Sequence, residues 1–352
     1  MPTPLLTVED AAAQFTAGRG YLSACTMGLP IRATIAALAA DAARWAAGTA
    51  SAAEYGAIVE QGRNLYARIV NVPVERVAIG SQTSVMAEVI ASSIPDGAEV
   101  LCVDGDFSSM VFPFLAQAHR GVSVRHASLG ALADSISSNT ALVAFSLVQS
   151  ATGAIADADA VTSAAKAHDA WTLCDTTQAV GWLPVDAGAF DATVCHGYKW
   201  LCCPRGVAFL TVSERLQPEL RPVQAGWYAG ADPWASCYGP QMQLADTARR
   251  FDVSPAWQAW AGTTPALSFF STLDIPAARD HAVRLGDLLC DGLDIARAGQ
   301  AIVTWPDADG ACLGPLTAAG ITISCRSGRA RAAFHLWNDE QDVANTLEVL
   351  GR

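Results

Sequence analysis

An α/β fold, with a large unit built on parallel strands and a smaller unit after it, follows from three observations on this sequence. The first is the succession of ALVAFSLV at 141–148, ADAVTSAAKAHDA at 158–170 and WTLCD at 171–175. Two apolar runs separated by a polar-faced helical stretch make the strand–helix–strand crossover that joins parallel strands. The second is size: 352 residues with 51% hydrophobic content can bury a sizeable core and still leave length for a second unit. The third is the order of elements after position 265, where two helices precede three short strands and a last helix.

In chain order, GYLSACTMGLPIRATIAALAADAARWAAG gives a short extended piece and then an alanine-rich amphipathic helix. Residues 54–70 continue as a second helix, with Tyr55, Ile58, Leu65, Ile69 and Val70 approximating one apolar face. RVAIGSQTSVMAEVIAS is a short strand, a small polar turn and a helix. Such a turn aims free backbone N–H groups at one point, which makes a ready anion site. The strand AEVLCVDG leads into DFSSMVFPFLAQA, and ALVAFSLV ends in QSATGAIAD. Ligands bind where the strands of an α/β sheet end, so Gln149, Ser150 and Thr152 are candidate contacts.

From 217 to 265 the chain reads as largely irregular, and GWYAGADPW and PAWQAWAG supply bulky rings for a site entrance or for a subunit interface. Helices are expected at 265–277 and 278–293, with Pro265 in a first turn. Strands follow near AIVTW, ITISC and RAAFHLW. The last helix opens with Asn338 and carries Gln341 three residues on, a capping-box arrangement.

Composition excludes several classes of partner. A formal charge of −12 argues against nucleic acid or an anionic membrane surface, because both are bound through basic patches. No run of about 18 apolar residues occurs to span a bilayer. The N-terminus MPTPLLTVEDAAAQF has acids where a secretory signal carries a basic region, which predicts a cytoplasmic address. The ten cysteines are scattered, several inside apolar strands, and read as reduced thiols acting as small hydrophobes. Cys202 and Cys203 are adjacent and no histidine cluster accompanies them, so no metal is expected.

The most informative stretch is 174–210, CDTTQAVGWLPVDAGAFDATVCHGYKWLCCPRGVAFL. The chain has only two lysines, Lys166 and Lys199. Lys166 lies on a polar-faced helix, where a solvated ammonium is ordinary. Lys199 sits between apolar segments with hardly any charge nearby, where desolvation favours the neutral amine that covalent chemistry needs.

The stretch resembles the class V aminotransferase family of pyridoxal-phosphate (PLP) enzymes, of fold type I, which includes cysteine desulfurases, kynureninases, C–S lyases and isopenicillin N epimerase. In that family a strand ends in Asp-x-x-Gln and the PLP lysine follows; Asp175, Gln178 and Lys199 stand at those places. The resemblance implies a carboxylate that keeps the pyridine nitrogen protonated, an amide bonded to the ring phenol oxygen and an amine that holds the aldehyde carbon. It implies a large domain with a mixed, mostly parallel sheet flanked by helices. The divisions expected are an N-terminal arm at 1–20, a PLP-binding domain at 21–260 and a small α+β domain at 261–352.

Further positions follow from the same resemblance. Gly80, Ser81 and Gln82 match the family's phosphate turn, although desulfurases prefer threonines there. Phe107, or Ser108 beside it, stands where the family stacks an aromatic ring or histidine on the pyridine. Gln149, Ser150 and Thr152 are candidates for the ring oxygen or the substrate carboxylate, with Ser150 nearest the place of the desulfurase asparagine and Gln149 assigned to the substrate. His196 and Tyr198 match phosphate donors, and Arg205 is a structural surface arginine rather than a gate. Thr263 and Thr264, in Gly-Thr-Thr-Pro, match a segment that reaches the partner's phosphate in a homodimer with shared active sites. Arg331 matches the arginine that clamps the substrate α-carboxylate, with Arg329 as the fallback.

Desulfurases carry a nucleophilic cysteine on a mobile loop well before that arginine. Here Cys325 precedes Arg331 by six residues within an expected strand, and Cys312 is a weak substitute, so persulfide chemistry is disfavoured. The resemblance then implies an amino-acid substrate and chemistry at Cα and Cβ with Lys199 as general base. The favoured reaction is β-elimination from a cysteine S-conjugate, similar to that of hercynylcysteine sulfoxide lyases. An amino-acid epimerase or aminotransferase is the alternative, and a non-catalytic PLP-binding protein is disfavoured because Lys199, Asp175 and Arg331 are all present.

Overall fold

The computed structural model describes residues 5–352, so the first four positions of the expected arm at 1–20 lie outside the described residues. Seven strands form the main sheet: β1 (Val77–Gly80), β2 (Glu99–Val103), β3 (Ser123–Ala127), β4 (Thr140–Ser146), β5 (Trp171–Asp175), β6 (Ala192–His196) and β7 (Ala208–Val212). Their order is β1-β7-β6-β5-β4-β2-β3, and β7 alone runs against the rest. The expected mixed, mostly parallel sheet is therefore present, and β4, β5 and β6 lie side by side. In that register Ser146 is level with Asp175, and Asp175 with Val194. The chemistry-bearing strand ends thus share one rim of the sheet.

Side-chain alternation fills both faces of this sheet. On β4, Val143 and Phe145 join one core, while Leu142 and Ala144 join the core on the other side. The α-helices among the described residues are α1 (Val8–Ala12), α2 (Arg32–Ala46), α3 (Ala52–Ile69), α4 (Thr83–Ala91), α5 (Ser108–Leu115), the crossover helix α6 (Ala158–Ala167), α7 (Trp257–Phe270), α8 (Ile275–Gly292), α9 (Leu313–Ala318) and α10 (Glu340–Val349).

The helices expected at 265–277 and 278–293 are thus displaced to α7 and α8. Pro265 lies inside α7 rather than in a first turn, because the apolar run from Trp257 onward packs continuously on α2 and α3. That packing puts position 261 within a helix of the large unit. The small unit holds α8 to α10 and an antiparallel sheet ordered β8 (Ile302–Pro306), β10 (Arg329–Ala333), β9 (Ser324–Arg326). The cap of α10 also differs by one residue: Asp339 is the N-cap and Asp342 its reciprocal partner. Asn338 instead accepts from the His335 N–H and donates to Asp342.

Two features tie distant parts of the chain together. Arg63 on α3 is fully buried and donates to both carboxylate oxygens of Asp252, at 3.0 and 2.7 Å, and to the Val77 carbonyl at 2.8 Å. Asp252 also accepts from the Ile79 N–H at 2.8 Å, so one buried ion pair fastens α3, β1 and the segment leading into α7. The second feature is the segment from Gly20 to Gly28. Leu22 sits in the core of the small unit, the Leu22 N–H donates to the Thr322 carbonyl, and the Ala333 N–H donates back to Leu22. A few residues later the Gly28 N–H donates to Tyr198 of the large unit, so this segment bridges the two units beside the strand ends.

Candidate active site

Lys199 follows β6 in a turn closed by bonds from Cys202 N–H to the Lys199 carbonyl and from Cys203 N–H to the Gly197 carbonyl. Cys202 adopts φ +53°, a left-handed conformation that tightens the turn. Gly28 lies against it so closely that an added Cβ would stand 2.0 Å from the Lys199 oxygen. The backbone of Lys199 is therefore clamped on both sides. Its side chain is buried, and burial lowers the ammonium pKa to about 8, against the pull of Asp175 toward the charged form. Asp175, at the end of β5, is also buried; burial pushes its carboxyl up to about 6, held back by hydrogen bonding from Thr177. At neutral pH Asp175 is mostly ionised and Lys199 releases its proton at modest cost.

Both line one cavity. Phe107 forms one wall, with its ring centroid 5.3 Å from Lys199 Nζ. Ser108 does not line it; Ser109, one residue further along α5, does. Phe107 is placed by Asp106, whose carboxylate accepts from the Phe107 N–H at 2.6 Å, the Ser146 hydroxyl at 2.6 Å and the Ser146 N–H at 2.8 Å. The same carboxylate takes Gln149 Nε2 at 3.3 Å. Gln149 is therefore turned away from the cavity, which corrects its expected role at the substrate carboxylate.

The opposite end of the cavity gathers donors for an anion. Gln82 and Thr83 stand at the start of α4, whose first-turn N–H groups have no partner within the helix. Gly80 and Ser81 do not line the cavity; Gly80 is required instead for packing, since a Cβ there would meet Met86 Sδ at 2.0 Å. Thr177 lines this end and accepts the His196 N–H at 3.0 Å. His196 Nε2 is buried without a partner, and burial, with help from Arg205 and Lys199, lowers its pKa to about 3. The imidazole is thus neutral, with its Nε2 open to a ligand. Arg205 is exposed at the rim, 4.9 Å over the Tyr198 ring, so it belongs to the cavity rather than to a remote surface.

Arg331, on β10 of the small unit, stands behind the cavity-lining Ser150. It is 2% exposed and bonds to the Ser324 hydroxyl at 3.0 Å, to the Ser150 carbonyl and hydroxyl, and to the Thr26 hydroxyl at 3.1 Å. Every one of these partners is neutral. Arg63, the other deeply buried guanidinium described above, faces two carboxylates. A buried cation that has only hydroxyls and a carbonyl for company is suited to an incoming carboxylate. Arg329 is turned to Thr304 and is not needed for this task.

Gln178 lines the cavity, but its amide nitrogen donates to the Cys25 carbonyl at 3.0 Å and to Ser150 Oγ at 3.1 Å, while its oxygen accepts from Trp200 Nε1 at 2.7 Å. Its expected bond to a ring oxygen is therefore not free to form in this arrangement. Thr263 and Thr264, expected at the partner's phosphate, are buried in α7 and donate to the Ala259 and Ile58 carbonyls. The exposed hydroxyl at the approach to α7 is Ser254. Cys325 is in β9 and Cys312 caps α9 near Trp305 Nε1; no cysteine is among the described residues that line the cavity. Residues missed from sequence are Asp106, Thr83, Thr177 and Thr26. Only Thr177 carried a local signal, as part of the Asp-Thr-Thr-Gln run.

The residues present fit a phosphorylated pyridine aldehyde. Lys199 offers the amine, Asp175 a carboxylate for a ring nitrogen, Phe107 a flat wall, and α4 with the unpartnered His196 an anion cradle. Comparison with known proteins agrees with this reading. A sequence model described as aminotransferase class-V matches residues 34–310. A kynureninase of Deinococcus radiodurans is 30% identical over 254 residues, which cover 69% of this chain and 61% of that protein. An isopenicillin N epimerase of Streptomyces clavuligerus is 28% identical over 287 residues, 72% of this chain and 68% of that one. The structure of the cystine C–S lyase C-DES with its product cysteine persulfide superposes with a TM-score of 0.85 at 20% identity, covering 95% of this chain and 97% of that chain.

Proposed function

Because this chain belongs to the aminotransferase class-V family, we propose that it is a PLP-dependent enzyme acting at Cα and Cβ of an amino acid, by β-elimination from a cysteine S-conjugate. The observation that carries the proposal is an easily deprotonated Lys199 in the cavity together with a buried Arg331 that has no carboxylate partner and bonds the cavity-lining Ser150. When bound, the cofactor supplies an electron sink for the charge left at Cα. Arg331 holds the α-carboxylate in bidentate fashion and so presents Cα to the lysine. Lys199 Nζ takes the Cα proton as general base. Asp175 keeps a proton on the pyridine nitrogen, and Phe107 shields one ring face from water. Loss of the Cβ–S bond, with the electron pair leaving on sulfur, completes the elimination.

The positions of Cys312 and Cys325, in the small unit and outside the cavity lining, support elimination over persulfide transfer. Likeness to an isopenicillin N epimerase favours one second reading, epimerisation, in which the proton returns to Cα without loss from Cβ. Proton NMR in deuterated water, with cysteine S-conjugates and plain amino acids, separates the two. Pyruvate with a free thiol is the expected result; deuterium at Cα without pyruvate replaces the lyase by the epimerase or an aminotransferase. In the same assay Arg331→Gln is expected to raise KM by roughly a hundredfold, the scale of a lost buried charge pair, with a smaller change in kcat. An unchanged KM would remove Arg331 from substrate binding.

The same reading includes a homodimer in the cytoplasm. Exposed Ile35 and Trp45 on α2, beside a groove lined by Ala37, Ala40, Ile58, Ala261 and Pro265, support self-association. Seven buried free thiols suit a reducing compartment. Sedimentation of the loaded protein as a monomer would withdraw the dimer.

A further inference from the structure

Ser150 lies between Gln178 and Arg331. Its hydroxyl oxygen accepts from Gln178 Nε2 at 3.1 Å and from Arg331 Nη1 at 3.1 Å. A hydroxyl has two acceptor lone pairs and one hydrogen. With both lone pairs engaged, the hydrogen points away from Gln178 and Arg331, and Ser150 lines the cavity. Among the described residues no group accepts that hydrogen. Gln178, by contrast, has both amide hydrogens committed, to Cys25 and to Ser150. The uncommitted donor of the two is the serine.

We propose that the Ser150 hydroxyl is the hydrogen-bond donor to the anionic ring oxygen of the bound cofactor, and that Gln178 and Arg331 are positioning residues that act through it. The assignment rests on the PLP reading above and departs from the role that the family resemblance implies for Gln178. Two donors on one oxygen, one of them a guanidinium, polarise its O–H bond and strengthen it as a donor. They also fix the hydroxyl rotor, so the hydrogen is aimed before any ligand arrives.

The test is the visible absorption of the PLP-loaded protein as a function of pH. A donor on the ring oxygen stabilises its negative charge, which makes the proton shared between that oxygen and the attached lysine nitrogen easier to remove. Deleting the donor makes removal harder, so the midpoint moves up. Ser150→Ala is expected to raise it by about one unit, the scale of a hydrogen bond to a charged group. Ser150→Thr, which keeps the hydroxyl, is expected to return it to the wild-type value. An unmoved midpoint in Ser150→Ala, or a shift that Ser150→Thr fails to reverse, overturns the assignment. A purely structural serine would weaken loading or thermal stability while leaving the midpoint alone. If the wild-type protein acquires no visible band with PLP, the cofactor reading itself fails, and this proposal with it.

Discussion

Lys199→Ala is expected to abolish the visible absorption of bound PLP and to lower turnover by at least about 10²–10⁴-fold, the range associated with a positioned acid–base group. Covalent attachment and proton transfer are lost together because Lys166, the only other lysine, lies on the polar-faced helix α6 outside the cavity. Circular dichroism should be unchanged, since the clamp on this turn uses backbone atoms and Gly28 rather than the amine. A variant that kept the colour would place the attachment elsewhere. The same substitution has a signature in the apoprotein. In the unfolded chain the lysine keeps its proton up to about 10.5, whereas in the fold it releases it near 8. Between those values the unfolded state binds more protons, so stability rises with pH across that window and the full burial cost stands below it. Wild type measured against Lys199→Ala should therefore gain stability from pH 8 to 10.5 in urea titrations. A difference that stays flat would mean that the amine is not buried in solution.

Asp252→Ala is expected to destabilise the protein by about 3–5 kcal/mol, read from the shift of the denaturant midpoint. Most of that effect comes from Arg63, which would keep its charge with its bidentate partner gone. Glu60 remains near, but it is partly exposed and cannot take over the bond to the Ile79 N–H. Replacing both partners, as in Arg63→Met with Asp252→Leu, should recover most of the loss, because no unpaired charge is then buried. If the double variant were no better than the single one, the pair would be holding β1 to the α7 approach by its hydrogen bonds rather than by charge compensation.

The parallel sheet and the Asp175–Lys199 relation were legible because each is local. A strand buried on both faces reads as a short continuous apolar run, and a lone lysine between such runs stands out. What was not legible depends on partners far along the chain. Gln149 and Ser150 are neighbours of similar polarity, and Asp106, more than forty positions earlier, decides which one faces the cavity. Gln178 looks free until the segment carrying Cys25 reaches it. Gly262-Thr263-Thr264-Pro265 has the composition of a turn, yet Trp260 before it and Phe269 and Phe270 after it are buried in a helix that packs on α2 and α3, and that burial outweighs the local signal. At α10 the choice between Asn338 and Asp339 as cap turned on which one Asp342 could answer.

The bridge from Gly20 to Gly28 also sets an order in time. Its bonds join the first residues of the chain to the last: Thr26 meets Arg331 across 305 positions, and the Gly20 N–H meets Asp342 across 322. The strands around Asp175 and the Lys199 turn end at Val212, so a chain growing on the ribosome has the anion cradle and the lysine in hand long before Arg331 is made. Loop closure between the two termini comes last. The pocket is therefore assembled in two stages, with the anion cradle and Lys199 ahead of the Arg331 that backs Ser150.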